Sequence, residues 1–138
     1  MRNAHTLWEL VASMAIISTV IAVAAPPIAH ARDRAAVHAA VAALRVTLAS
    51  ARNIALTRAA SAVVTFDSAP PAISVVVNRE IVLRQLLTGD FRAHLSATRD
   101  TIRFGPTGRA FGASNTTLIL RAGSAADTIT VSRVGRVR

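Results

Sequence analysis

Residues 10–31 read LVASMAIISTVIAVAAPPIAHA, and no Asp, Glu, Lys or Arg interrupts them. As a helix rising about 1.5 Å per residue, the run covers roughly 30 Å, the thickness of a bilayer's hydrocarbon core. A single membrane-spanning helix is the first reading. A cleavable secretory signal is its rival, because Ala24-Ala25 and Ala29-His30-Ala31 supply the small residues that precede such cuts. Against the rival stand the single Arg2 ahead of the run, Glu9 at its mouth, and a span longer than most signal cores. A buried core helix is the third reading, and 138 residues offer little protein to enclose so apolar a rod.

Outward from this run the composition divides. The chain is 52% hydrophobic with a net charge of +9 and no cysteine, which excludes disulfide scaffolds, thiol catalysis and thiolate metal sites. Its length suits one domain plus the apolar segment, and its apolar content excludes a disordered chain. Residues 1–31 hold only Arg2 and Glu9 and are neutral. Residues 32–60 carry Arg32, Arg34, Arg45, Arg52 and Arg58 against Asp33, and residues 103–138 carry six arginines against Asp127 alone. Residues 61–102 balance four arginines with Asp67, Glu80, Asp90 and Asp100. The positive charge thus belongs to the part beyond the apolar run, where it favours polyanionic partners.

Val37, Val41, Leu44, Leu48 and Ala55 recur at helical spacing, so residues 32–60 predict an amphipathic helix with one face on a core. Arg34, His38, Arg45 and Arg52 fall on a second stripe about 60–80° round, either a solvated edge or a ridge facing a polyanion. His38 has no Asp, Glu or second His at the spacing of a ligand pair, and His5, His30 and His94 are scattered. After Ala60 the period shortens to two. Residues 62–67, 73–78, 81–87, 101–104, 116–121 and 128–134 read as strands, parted by Ser68-Ala69-Pro70-Pro71, Gly89-Asp90, Gly105-Pro106-Thr107-Gly108 and Gly123-Ser124. In the last of these strands Ile129 and Val131 take the buried side. The expected fold is α+β: a long N-terminal helix, membrane-spanning in its first half and amphipathic in its second, packed on an antiparallel β-sheet. The expected organisation is a leader 1–4, a membrane helix 5–31, an amphipathic helix 32–60 and a β-rich domain 61–138.

His5-Thr6-Leu7-Trp8-Glu9-Leu10, after a short polar leader and before the apolar run, resembles the class III signal of type IV pilins and type II secretion pseudopilins. That signal is usually Gly followed by Phe-Thr-Leu-Ile-Glu-Leu; here Ala4, His5 and Trp8 depart from it, while Thr6, Leu7, Glu9 and Leu10 agree. The resemblance implies that a prepilin peptidase cuts between Ala4 and His5 on the cytoplasmic side and that His5 becomes N-methylated. It further implies that the helix serves as both inner-membrane anchor and filament core. Glu9 then pairs with the free amine of a neighbouring subunit, which is physically sensible because a buried charge needs an opposite one beside it. On its own residues Glu9 reads equally as a hydrated carboxylate favouring the positive end of the helix. Pro26 and Pro27 stand where the family kinks or locally melts this helix, and each removes a backbone donor.

Residues 102–108 (Ile-Arg-Phe-Gly-Pro-Thr-Gly), the strands over 117–120 and 129–132, and Gly135-Arg136-Val137-Arg138 are similar to the C-terminal half of the GspH/FimT family of minor pilins. The likeness covers nearly the whole chain, and its DNA-uptake branch carries Gly-Arg-any-Arg at this place. In an extended chain Arg136 and Arg138 project to one side about 7 Å apart, close to the phosphate spacing of one strand, and Gly135 permits a turn or close approach. Arg133, Arg109 and Arg121 extend the patch. A frayed basic tail is the alternative.

The seven carboxylates are dispersed, no nucleophile signature occurs and no Gly-rich loop opens a helix, so an enzyme is not expected and no cofactor is implied. The resemblance implies a minor pilin-like subunit of a type II secretion system or type IV pilus, partnered by other pilins in a filament or its tip. It would be single-pass in a bacterial inner membrane with a periplasmic domain, and secreted cargo is a further partner. A duplex-DNA-binding pilin for DNA uptake is the alternative function, and a secreted basic protein cut after Ala25 or Ala31 a third.

Overall fold

A computed structural model of the protein describes residues 6–87, 91–111, 116–132 and 136–138; Ala4, His5, Arg133, Gly135 and the Gly89-Asp90 turn lie outside them. The chain divides into two compact units, Met1–Arg32 and Asp33–Arg138. One helix, α1 (Leu7–Thr57), contributes to both.

In the first unit Thr6 begins the helix. Its carbonyl accepts the N–H groups of Glu9 (3.0 Å) and Leu10 (3.2 Å), and its Oγ1 faces the Glu9 N–H at 3.4 Å. Thr6-Leu7-Trp8-Glu9 therefore has the Thr-x-x-Glu order of a capping box, with acid at the positive end of the helix. The apolar run is solvent-exposed in the isolated chain, Ile16 and Val20 among others. By length and composition the helix can cross a membrane. α1 continues through Pro26 and Pro27, both of which lie inside the helix. Proline's fixed φ is itself helical, so the neighbouring turns hold the conformation although two donors are lost.

In the second unit α1 turns Val37, Val41, Leu44, Leu48, Ala51 and Ala55 into the core, all buried. Alanine at the fully buried positions 40, 51 and 55 lets the helix lie close to the strands. The helix stops in a Schellman cap: the Ala60 N–H donates to Ala55 O (3.2 Å), the Ala59 N–H to Leu56 O (3.3 Å), and Ala59 takes φ +46°.

The strands are β1 (Ala62–Ser68), β2 (Pro71–Val77), β3 (Glu80–Leu86), β4 (His94–Ala97), β5 (Thr101–Phe104), β6 (Ala110–Phe111), β7 (Thr116–Ala122) and β8 (Ala125–Val131). Every pairing is antiparallel, as expected, but the strands form two sheets rather than one, in the orders β3-β2-β1-β5-β6 and β4-β7-β8. Their inner faces share a core with α1 that includes Val64, Phe104, Leu118 and Ile129.

Three local differences from the expected strands have plain causes. Asn78 leaves the expected strand 73–78 because Asn78 and Arg79, at φ +51° and +70°, form the two-residue turn between Val77 and Glu80. β8 starts at Ala125 rather than 128 because Gly123-Ser124 is a two-residue turn, and Gly123 at φ +52° is its left-handed first position. β4 and β6 went unexpected: β4 buries only Leu95 and β6 has two residues, too little for a period of two to register.

Candidate functional site

Two sets of residues carry the functional expectations, one in each unit. In the first, Glu9 lies exposed in the opening turn of α1, one turn from Thr6. Ser13, Ser18 and Thr19 donate their hydroxyls to the carbonyls of Glu9, Met14 and Ala15, each at 2.8 Å, so the run presents no hydroxyl that demands an outside acceptor.

In the second unit the stretch around Arg136 and Arg138 is not a frayed tail. Thr130 and Arg138 exchange two backbone hydrogen bonds, both 3.0 Å, and the Ser132 N–H donates to Arg136 O at 2.9 Å. The Arg136 N–H in turn donates to Ser132 Oγ at 3.2 Å. Val137 thus stands opposite Val131, as an antiparallel extension of the β4-β7-β8 sheet. Val131 is fully buried, so Val137 takes the core side and strand alternation puts Arg136 and Arg138 together on the other face.

That outer face has a consistent chemistry. The register places Arg121 between His94 and Ala126, and the alternation adds Thr117, Ile119, Thr128, Thr130 and Ser96. Asp127 belongs to the opposite side by the same alternation, and its Oδ1 accepts the Thr128 N–H at 2.7 Å. Among the described residues of these strands, no carboxylate projects on the outer face. Arg121 and the Arg136–Arg138 pair mark its two ends: Ala126 and Thr130, their cross-strand partners, are four residues apart, about 13 Å. The arrangement can hold an extended polyanion by guanidinium and hydroxyl contacts. Sequence reading found Arg121, Arg136 and Arg138 but missed His94 and the hydroxyl rows, because β4 was not foreseen and a face is visible only once the register is known.

Arg109 lies elsewhere, in the loop joining β5 to β6. The Gly105 N–H donates to Arg109 O and the Gly108 N–H to Gly105 O, both at 2.9 Å, and Gly108 takes φ +72°. A Cβ on Gly108 would come within 3.1–3.2 Å of Leu56 and Arg52, so this glycine lets the loop close onto α1.

A long N-terminal helix packed on antiparallel sheets in this order is the pilin fold. The crystal structure of the type IV minor pilin FimU from Pseudomonas aeruginosa (strain PAO1) is similar to it, with a TM-score of 0.63 at 14% identity, covering 76% of this chain and 88% of that one. A second crystal form of FimU gives a TM-score of 0.62 at 13% identity, covering 73% and 90%. No known protein family and no curated protein is matched by the sequence.

Proposed function

We propose that this chain is a membrane-anchored minor pilin-like subunit that assembles through α1 into a filament or its tip. The observation that carries the reading is a helix able to cross a membrane, exposed along its whole apolar run and continued into a domain of the pilin fold. Such a helix exchanges lipid for neighbouring helices at little cost, since lipid tails are as apolar as leucine. On this reading prepilin peptidase cuts between Ala4 and His5, His5 is methylated, and Glu9 fixes the axial register by pairing with a neighbour's new amine. The anchor crosses a bacterial inner membrane with the second unit on the periplasmic side. The machine is a type IV pilus or a type II secretion system, whose cargo would then be a partner. Mass spectrometry of the mature N-terminus tests this: a chain starting at methylated His5 is expected, and one starting after Ala25 or Ala31 sinks the proposal.

The acid-free face that holds Arg136 and Arg138 supports a second reading, a duplex-DNA-binding subunit for DNA uptake. With no Phe, Tyr or Trp among the described residues of that face, recognition would run through phosphates, independent of sequence and steeply salt-dependent. Replacing Arg136 and Arg138 together by Ala in the full chain in detergent should remove most binding and lower the salt slope by about 2, at ~0.9 per phosphate contact. Unchanged affinity and slope would make the motif incidental.

A further inference from the structure

A groove of about 300 Å³ runs along α1 in the second unit, walled by Arg45, Ala49, Arg52, Asn53 and Leu56, with the buried Leu48 at its base and Val137 beside it. Arg45 and Arg52 are two helical turns apart, about 10.5 Å. Beside the groove the exposed residues Ala39, Ala42, Val46, Ala49, Asn53 and Leu56, the last three of which also line it, follow at steps of three and four, a heptad seam on the side of the helix away from its core. Val46 is 65% and Leu56 46% exposed, so the seam presents apolar surface that the second unit itself leaves uncovered. His38, Arg45 and Arg52 each precede an inner seam position by one residue, so one flank is basic throughout. The other flank, Ala43, Ser50 and Thr57, is neutral.

We propose that this groove seats an α-helix of a different chain, which inserts an apolar side chain between Arg45 and Arg52 and sets carboxylates against them. The proposal rests on the filament-subunit reading for the presence of neighbouring helices, and it names what the neighbour carries. Charge favours a different chain over a second copy. An antiparallel copy would oppose one basic flank with another, and a parallel copy would set Arg45 and Arg52 against neutral Ser50 and Thr57. Between Arg34 and Arg58 the helix has no carboxylate, and Asp33 is bonded to the Ser124 backbone N–H at 2.9 Å. A nucleic-acid backbone would satisfy the arginines and leave Val46 and Leu56 uncovered. A helix with Glu flanks and an apolar seam satisfies both.

The full chain in detergent micelles, titrated by fluorescence anisotropy with a synthetic four-heptad helical peptide bearing Leu on its seam and Glu on its flanks, tests the proposal. Binding is expected, with a loss of roughly tenfold or more in the Arg45→Glu/Arg52→Glu variant and a corresponding gain for the peptide with Lys flanks. These side chains are exposed, so the variant keeps its fold, and an unchanged circular dichroism melt checks that. Equal binding of a scrambled peptide of the same composition, or indifference to charge reversal, overturns the proposal. So does displacement of the peptide by a duplex oligonucleotide whose own affinity falls equally in the variant, or a homodimer in sedimentation that charge reversal dissociates. None of these outcomes bears on the mature N-terminus, so the groove and the filament reading fail separately.

Discussion

Replacing Gly123 by Ala strikes the point where the β7–β8 turn meets α1. Asp33 Oδ2 accepts the Ser124 backbone N–H at 2.9 Å and its hydroxyl at 3.1 Å. A Cβ on Gly123 would collide with Oδ2 and lie 2.6 Å from Cγ and 2.7 Å from Oδ1, so the carboxylate has to leave. The costs are separable. Holding an L-residue at φ +52° costs about 1–2 kcal/mol. Two partly solvated hydrogen bonds are worth ~0.5–1.5 kcal/mol each. The total is roughly 2–5 kcal/mol, or about 10–25 °C in Tm for a domain of this size. Urea and thermal denaturation of the fragment 33–138, followed by circular dichroism, measures it. In an Asp33→Ala background the clash and both bonds are already gone, so Gly123→Ala should then cost only the backbone part, about 1–2 kcal/mol. A cost that is the same in both backgrounds, or below about 0.5 kcal/mol in the native one, refutes the reasoning.

Three further outcomes follow from named positions. Ala59→Gly relieves the left-handed cap residue of α1 and should stabilise the second unit by about 0.5–1 kcal/mol in the same melts. Leu44→Ala, at a fully buried site, should cost ~2–5 kcal/mol, whereas Val46→Ala, two residues on and 65% exposed, should stay within about 0.5 kcal/mol. Thr6→Ala removes the capping hydroxyl, and amide exchange at Glu9 in micelles should speed up in proportion to ~0.5–1 kcal/mol, with no effect beyond the first turns.

The helix was legible because its pattern is long. Val37, Val41, Leu44, Leu48 and Ala55 were enough to orient it, and all five are buried. The hairpins were legible where glycine or proline marked them. At Asn78-Arg79 the boundary was displaced by one residue, because neither glycine nor proline marks the turn and β2, buried on nearly every position, shows no alternation. The split into two sheets could not be read at all: Ala62–Ser68 pairs with β5, thirty-odd residues on, while β4 between them joins β7, and short strands do not announce their partners. The same limit applied to the basic face. Arg136 and Arg138 drew attention by themselves, but their setting beside Thr130 and Ser132, with Asp127 turned away, is a consequence of register.

On the membrane-anchored reading, the apolar half of α1 has to meet every polar demand without water, and its chemistry shows where it does and does not. Ser13, Ser18 and Thr19 return their hydroxyls to the preceding turn, so they add no unmet donor. Pro26 and Pro27 do the reverse, since each withholds the N–H that would have met the carbonyl four residues earlier, on Ala22 and Val23. Counted from Leu10, those carbonyls lie about 18–20 Å along the helix, past the middle of a ~30 Å hydrocarbon layer. An orphan carbonyl in lipid costs several kcal/mol, so this part of the helix requires water or a neighbouring chain's donor at that depth.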